Sequence, residues 1–176
     1  MTAEDTTAGL YRSTRPGIMV AFVVPVVLIG ISCAMVTGLP IDWENAYLGG
    51  TLILSLIMIS NGLNNIVDES VDIASVQAGS KKSEMYHVLC TTKGLSYGAL
   101  ISIIVVFGFA SFVSLGLLVI HAGYLVIAFA AFGLFLALEY NLPPLKLAYR
   151  PFPELTMLLP ASAVAVLGVQ YILVGS

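Results

Sequence analysis

Five long apolar stretches, separated by polar loops whose basic residues all fall on alternate loops, limit what this chain can fold into. They cover 17–39, 46–67, 95–120, 123–142 and 155–174. Each reaches the roughly 20 residues that an α-helix needs to cross the hydrocarbon of a bilayer. Backbone polar groups in lipid must be satisfied within the segment itself, which leaves helix as the conformation for isolated runs of this kind. The expected fold is therefore all-α: a polytopic transmembrane helical bundle with five spans. Composition agrees, because only 10% of residues are charged and mean hydropathy is +0.99, where a soluble domain carries roughly 25% charged residues. Pro25 inside the first stretch does not argue against a span, since neighbouring helices re-satisfy freed backbone groups.

The loops set the orientation. Arg12 and Arg15 precede the first stretch, Lys81, Lys82 and Lys93 follow the second, and Lys146 and Arg150 follow the fourth. The loop 39–45 holds Asp42, Trp43 and Glu44 without a basic residue, and His121–Ala122 reads as a tight turn. The positive-inside rule then predicts a cytoplasmic N-terminus and an outer C-terminus, with Trp43 and Tyr47 at the outer interface. The first apolar run is too long for a signal-peptide core and lacks a small-residue cleavage site after it, so it reads as a retained helix. A net charge of −3 supplies no basic patch, and no nucleic acid is expected. Cys33 lies in an apolar span and Cys90 in a polar loop, which offers neither a disulfide framework nor a zinc site. His87 and His121 have no ligand-spaced partner.

Chemistry is concentrated in one run, Asn61-Gly-Leu-Asn64-Asn65-Ile-Val-Asp68-Glu69-Ser-Val-Asp72. Asn64, Asp68 and Asp72 are spaced i, i+4, i+8, which on a helix forms one stripe. Carboxylates this close repel unless a cation lies between them, and hard oxygen donors suit Mg²⁺ or Ca²⁺. The stripe reads as a metal-bridged phosphate or diphosphate site at the cytoplasmic face; the plain alternative is a solvated acidic helix end. A second motif, Glu139-Tyr140-Asn141-Leu142-Pro143-Pro144-Leu145-Lys146, falls on the same face. Tyr140 offers an aromatic face to a cation and Lys146 a charge to a diphosphate. Lys81 and Lys82 offer further charge, although the positive-inside bias alone would place them there.

At these residues the chain resembles the UbiA superfamily of intramembrane aromatic prenyltransferases. Arg15-Pro16 is similar to the family's Arg-Pro start, and Asn64-x₃-Asp68-x₃-Asp72 to its first Asp-rich motif. Tyr140-Asn141-Leu142-Pro143-Pro144-Leu145-Lys146, with Glu154-Leu155 after it, is similar to its Tyr-Ser-x-Pro-Pro loop. The likeness runs through residues 17–176 behind a cytoplasmic tail 1–16, and corresponds to the N-terminal part of the family's larger bundle. The second Asp-rich motif is absent, Asn65 stands where the family has Asp, and lysines replace its arginines. The resemblance implies transfer of a polyprenyl group from a prenyl diphosphate to an aromatic or similar acceptor, as in quinone or related isoprenoid biosynthesis. It implies Mg²⁺ held by Asp68, Asp72 and Asn64, with Asp68, Asp72 and Tyr140 in catalysis. Asn64, Lys81, Lys82, Lys146 and Arg15 would then contact the donor, and a partner chain could carry the second motif. The competing expectation is a truncated or degenerate membrane protein that binds Mg²⁺ or an isoprenoid lipid without turnover. A small transporter using the Asn and Asp residues is disfavoured, because no charged residue lies deep in a span.

Overall fold

The computed structural model describes residues 16–38, 40–77, 97–142, 147 and 159–174, with side chains at these positions except 16–20, 67–77, 97, 99 and 141. They form five helices: α1 Pro16–Thr37, α2 Trp43–Gln77, α3 Tyr97–Ala122, α4 Leu125–Asn141 and α5 Leu159–Val174. No strand occurs among the described residues. Each apolar stretch of the sequence yields one helix, but the boundaries differ in instructive ways. Hydropathy places the end of the second stretch at Val67, while the Asn64, Asp68 and Asp72 spacing extends the helix to Asp72; α2 continues beyond both to Gln77. Loss of apolar character is not loss of hydrogen bonding, and the segment holds neither Gly nor Pro before Gly79. The turn expected at His121–Ala122 is also displaced. Both residues close α3, and the chain reverses at Gly123, whose φ of +91° lies where a Cβ is disfavoured.

α2 is the axis of the bundle. It packs against all four other helices, most extensively against α3, while α3–α4, α4–α5 and α5–α1 contacts close an arc around it. α1 and α5 approach closely at Gly30, where an added Cβ would collide with the Val169 side chain. Small residues at such crossings let backbones pack by van der Waals contact, the main attraction between helices in apolar surroundings. The buried cluster draws Val26 and Ala34 from α1, Leu52 from α2, Leu118 from α3, Val126 from α4 and Ile172 from α5.

One end of the bundle is pinned by polar bonds. Asp42 caps α2: its carboxylate accepts from the Asn45 N–H at 3.0 Å, and its carbonyl accepts from the Ala46 N–H at 3.0 Å. The Asn45 side chain is buried, and its Nδ2 donates to the Ile172 carbonyl at 3.0 Å. That carbonyl is in the last turn of α5, where carbonyls lack a helical partner. The Tyr171 hydroxyl donates to the Ala122 carbonyl, the last of α3, at 2.8 Å. His121 Nδ1 stands 3.8 Å from Glu44 Oε1. Glu44 lies in the first turn of α2, where its carboxylate complements the helix dipole, and His121 lies in the last turn of α3.

The outside of the bundle is apolar. Two helical segments, Trp43–Ile66 and Leu100–Ala122, are long and apolar enough to cross a membrane; Ala21–Thr37, Leu125–Tyr140 and Leu159–Val174 are shorter apolar helices. Only 11% of the most apolar part of α3 is buried, against 44% for α2. Val105, Phe109, Phe112 and Ile120 stand exposed on α3, while Asn45, Ser55, Ser60, Asn65 and Ser114 are buried. Monomeric soluble proteins rarely expose continuous apolar surface beyond a few hundred Å².

Asn45→Ala removes the bond between α2 and the last turn of α5 and leaves the Ile172 carbonyl unpaired. We expect a loss of about 1–2 kcal/mol, read as a lower denaturant midpoint in detergent. An unchanged midpoint would show that this bond does not hold the helices together.

Candidate functional site

Among the described residues a half-open cavity of about 250 Å³ runs along α2, lined by α4 and α5 with Phe22 of α1 and Leu118 of α3 at its sides. α2 contributes one stripe to it, from Gly49 through Leu52, Leu56 and Ser60 to Asn64. Those positions differ by three or four residues, the spacing that keeps side chains on one helical face. The facing stripe on α4 runs Val126, Ala130, Gly133, Ala137 and Tyr140, and that on α5 Ala161, Ala165, Gly168 and Ile172. Along these faces Ala and Gly alternate with Phe129, Leu136, Val164 and Val169, which also line the cavity.

Its two ends differ in chemistry. Gly49, Leu118, Val126 and Ile172 form an apolar floor of buried residues at the pinned end of the bundle. Ser60, Asn61, Asn64 and Tyr140 gather at the opposite end, where Asn61, Asn64 and Tyr140 are partly exposed. The mouth is therefore polar and the interior greasy. The Ser60 hydroxyl donates to the Ala137 carbonyl at 3.4 Å, which ties α2 to α4 just inside the mouth.

Local sequence explains how Tyr140 reaches this position. Pro143 forces the residue before it out of helical geometry. Leu142 is accordingly extended, with φ −105° and ψ 157°, and its N–H still closes the last turn on the Leu138 carbonyl at 2.8 Å. The helix ends there, so Tyr140 occupies its final turn beside α2. Asn64 arrives from α2 with no interruption of helix on either side.

Two of the residues expected to act together, Asn64 and Tyr140, are thus brought to one cavity mouth. Asp68 and Asp72 follow on the same continuous helix, one and two turns beyond Asn64. Their side chains lie outside the described set, as do Arg15, Lys81, Lys82 and Lys146 altogether. The continuity of α2 sharpens the metal expectation. At 1.5 Å per residue, Asn64 and Asp68 are about 6 Å apart along the axis, and Asn64 and Asp72 about 12 Å. Ligands of one Mg²⁺ each lie about 2.1 Å from it. On that rise, one ion would take neighbours in the series, Asn64 with Asp68 or Asp68 with Asp72, rather than both ends, which would make Asp68 the shared donor. Among the described side chains, no group of three or more His, Cys, Asp or Glu residues converges. The continuation to Gln77 also takes Asp68 and Asp72 out of the last helical turn, where the dipole would have opposed their charge.

Sequence reasoning did not identify Ser60 or the apolar lining. The available signal was the recurrence of Gly and Ala every three or four residues on α4 and α5.

Searches found no match to the chain among family models, curated proteins or solved structures.

If the cavity opens beside Asn64, a cysteine placed there by Asn64→Cys, in a chain whose Cys33 and Cys90 are replaced by Ser, reacts readily with a small polar alkylating reagent. A cysteine at the floor, from Leu118→Cys, stays unreacted in the folded protein. Equal labelling of the two would place the opening elsewhere.

Proposed function

We propose that this chain is a multi-pass integral membrane prenyltransferase of the UbiA type. It would transfer a prenyl group from a prenyl diphosphate to an aromatic or similar lipid-pathway acceptor. The observation that carries the reading is the meeting of Asn64 and Tyr140 at the polar mouth of an apolar cavity, with Asp68 and Asp72 continuing outward from that mouth on α2. An amphipathic substrate with an anionic head and an apolar tail matches such a shape.

The five helices are read as five spans, with the N-terminus and the cavity mouth on the cytoplasmic side. α2 is about 52 Å long, well beyond a hydrocarbon core of about 30 Å, so its end past Ile66 projects into water. Asp68 and Asp72 then keep their charges out of the low-dielectric layer, where burial would be expensive. The donor chemistry of Asn64, Asp68 and Asp72, all hard oxygens, fits Mg²⁺. When bound there, the metal supplies charge neutralisation and Lewis-acid assistance to a leaving diphosphate. Asn64 and Asp68 orient the head at the mouth, and Tyr140 presents its ring face to the allylic carbon, where positive charge develops. The apolar walls exclude water from that carbon. Lys81, Lys82, Lys146 and Arg15 are the proposed charge contacts to the diphosphate.

The assay is Mg²⁺-dependent binding of a radiolabelled prenyl diphosphate to the purified protein in detergent. Asp68→Ala is expected to weaken it at least about tenfold, a loss of about 1.4 kcal/mol, and more than Asp72→Ala, because Asp68 is the shared donor. Binding that ignores Mg²⁺ and both substitutions would sink the metal-site reading. Metal-dependent binding with no turnover on any acceptor would favour the non-catalytic isoprenoid-binding alternative. For orientation, Ser83→Cys should be labelled by an impermeant reagent only from the cytoplasmic side of sealed vesicles; labelling from outside would invert the topology.

A further inference from the structure

The exposed aromatic side chains of the bundle are sorted by chemistry. Among the described residues, the exposed Trp and Tyr side chains are Trp43, Tyr47 and Tyr124, each between 65% and 81% exposed, and all three stand at the pinned end. Trp43 opens α2, Tyr47 lies about one turn along it, and Tyr124 stands just ahead of α4. The 3.8 Å approach of His121 to Glu44 and the bond from Tyr171 to the Ala122 carbonyl hold these helix ends at one level. The exposed Phe side chains are Phe109, Phe112, Phe132 and Phe135. At 1.5 Å per residue they lie about 12–20 Å further into the bundle along α3 and α4.

We infer that Trp43, Tyr47 and Tyr124 form a belt, built from two helix starts, that seats the pinned end in the headgroup layer of a bilayer. The inference rests on the membrane-spanning reading given above and adds the level at which the bundle sits; it does not depend on the prenyl diphosphate reading. Indole and phenol rings join an apolar body to a hydrogen-bonding tip, which suits the boundary where lipid tails meet water. A phenyl ring has no such tip and belongs among the tails. Each kind stands where its chemistry selects. Asp42 and Glu44, exposed on either side of Trp43, then fall on the watery side of the belt. The belt also sets depth. A hydrocarbon layer of about 30 Å takes about twenty residues of upright helix, and that count from Tyr47 reaches Val67. Asn64 then lies about 4–5 Å inside the opposite boundary, and Asp68 is the first carboxylate beyond it. Gly49, at the cavity floor, lies about 3 Å below the belt, so the cavity crosses most of the layer.

Trp43 is the one tryptophan of the chain, so its fluorescence reports the belt without a label. The full chain is reconstituted in phosphatidylcholine vesicles whose tails carry bromine either near the headgroup or near the tail end. The shallow bromine is expected to quench Trp43 at least about twofold more than the deep one. Two further chains, both carrying Trp43→Phe, move the probe: Tyr124→Trp reads the α4 side of the belt and Phe132→Trp the apolar layer. Tyr124→Trp should keep the order seen at Trp43, and Phe132→Trp should reverse it. A thermal melt of each chain establishes that it is folded, and Phe112→Trp takes the place of Phe132→Trp if that chain is not. Stronger quenching by the deep bromine at Trp43 or at Tyr124→Trp, or one order shared by all three probes, overturns the belt and leaves the membrane-spanning reading intact. Quenching of all three by iodide in the water and by neither brominated lipid overturns that reading and the belt with it.

Discussion

The packing of the other four described helices on α2 is the constraint on which this structure depends. α2 supplies one face to the cavity and another to its most extensive neighbour, α3, and its capped start anchors the last turn of α5. A helix in this role cannot choose its residues freely. It needs Gly or Ser where a neighbour comes close, an amide where a distant carbonyl lacks a partner, and apolar bulk elsewhere. α2 has all three, in Gly62 against Ile104, Asn45 against Ile172 and Leu52 in the core. The same helix then carries the Asn-and-Asp stripe out of the bundle without a break.

The cavity is a by-product of how that packing is achieved. α4 and α5 line it with Ala130, Ala137, Ala161 and Ala165 among larger residues such as Phe129 and Leu136. Leaving a space of this size costs dispersion contacts that a filled core would have gained. A fold held at one end by hydrogen bonds between helix ends can tolerate that loss. A ligand that fills the space recovers the missing contacts, which links occupancy to stability.

Much of this was legible in the sequence, for a physical reason. Where the surroundings are apolar, the hydrophobic runs report helices directly, and all five were found. What they do not report is where a helix stops. Hydropathy sees the end of the apolar layer near Val67, whereas hydrogen bonding continues to Gln77. The reversal after α3 was misplaced by a residue or two because His121 looks like loop while Gly123 carries the backbone conformation that turns the chain. Asn64 and Tyr140 stood out as polar groups at span ends, and the structure brings them together. Asn45 did not stand out: it sits in an acidic stretch read as an outer loop, and its partner is a main-chain carbonyl far along the chain, invisible to any spacing rule. The lining was hidden for a related reason. Periodic small residues reveal a face but not what lies across from it.

The division of labour between the outer and inner faces of this bundle has a consequence for how such a chain can drift. Positions such as Val105, Phe109, Phe112 and Ile120 are asked only to be apolar, so any of several residues serves and little information is stored there. The discriminating positions are few, scattered and mostly small or polar: Gly30, Asn45, Ser60, Asn64, Gly123 and Tyr140. Two chains built on this plan could share that sparse pattern and the same cavity while their overall identity fell to the level expected of unrelated helices. Kinship among them would be measured along the inward stripe and lost in the average over the whole chain.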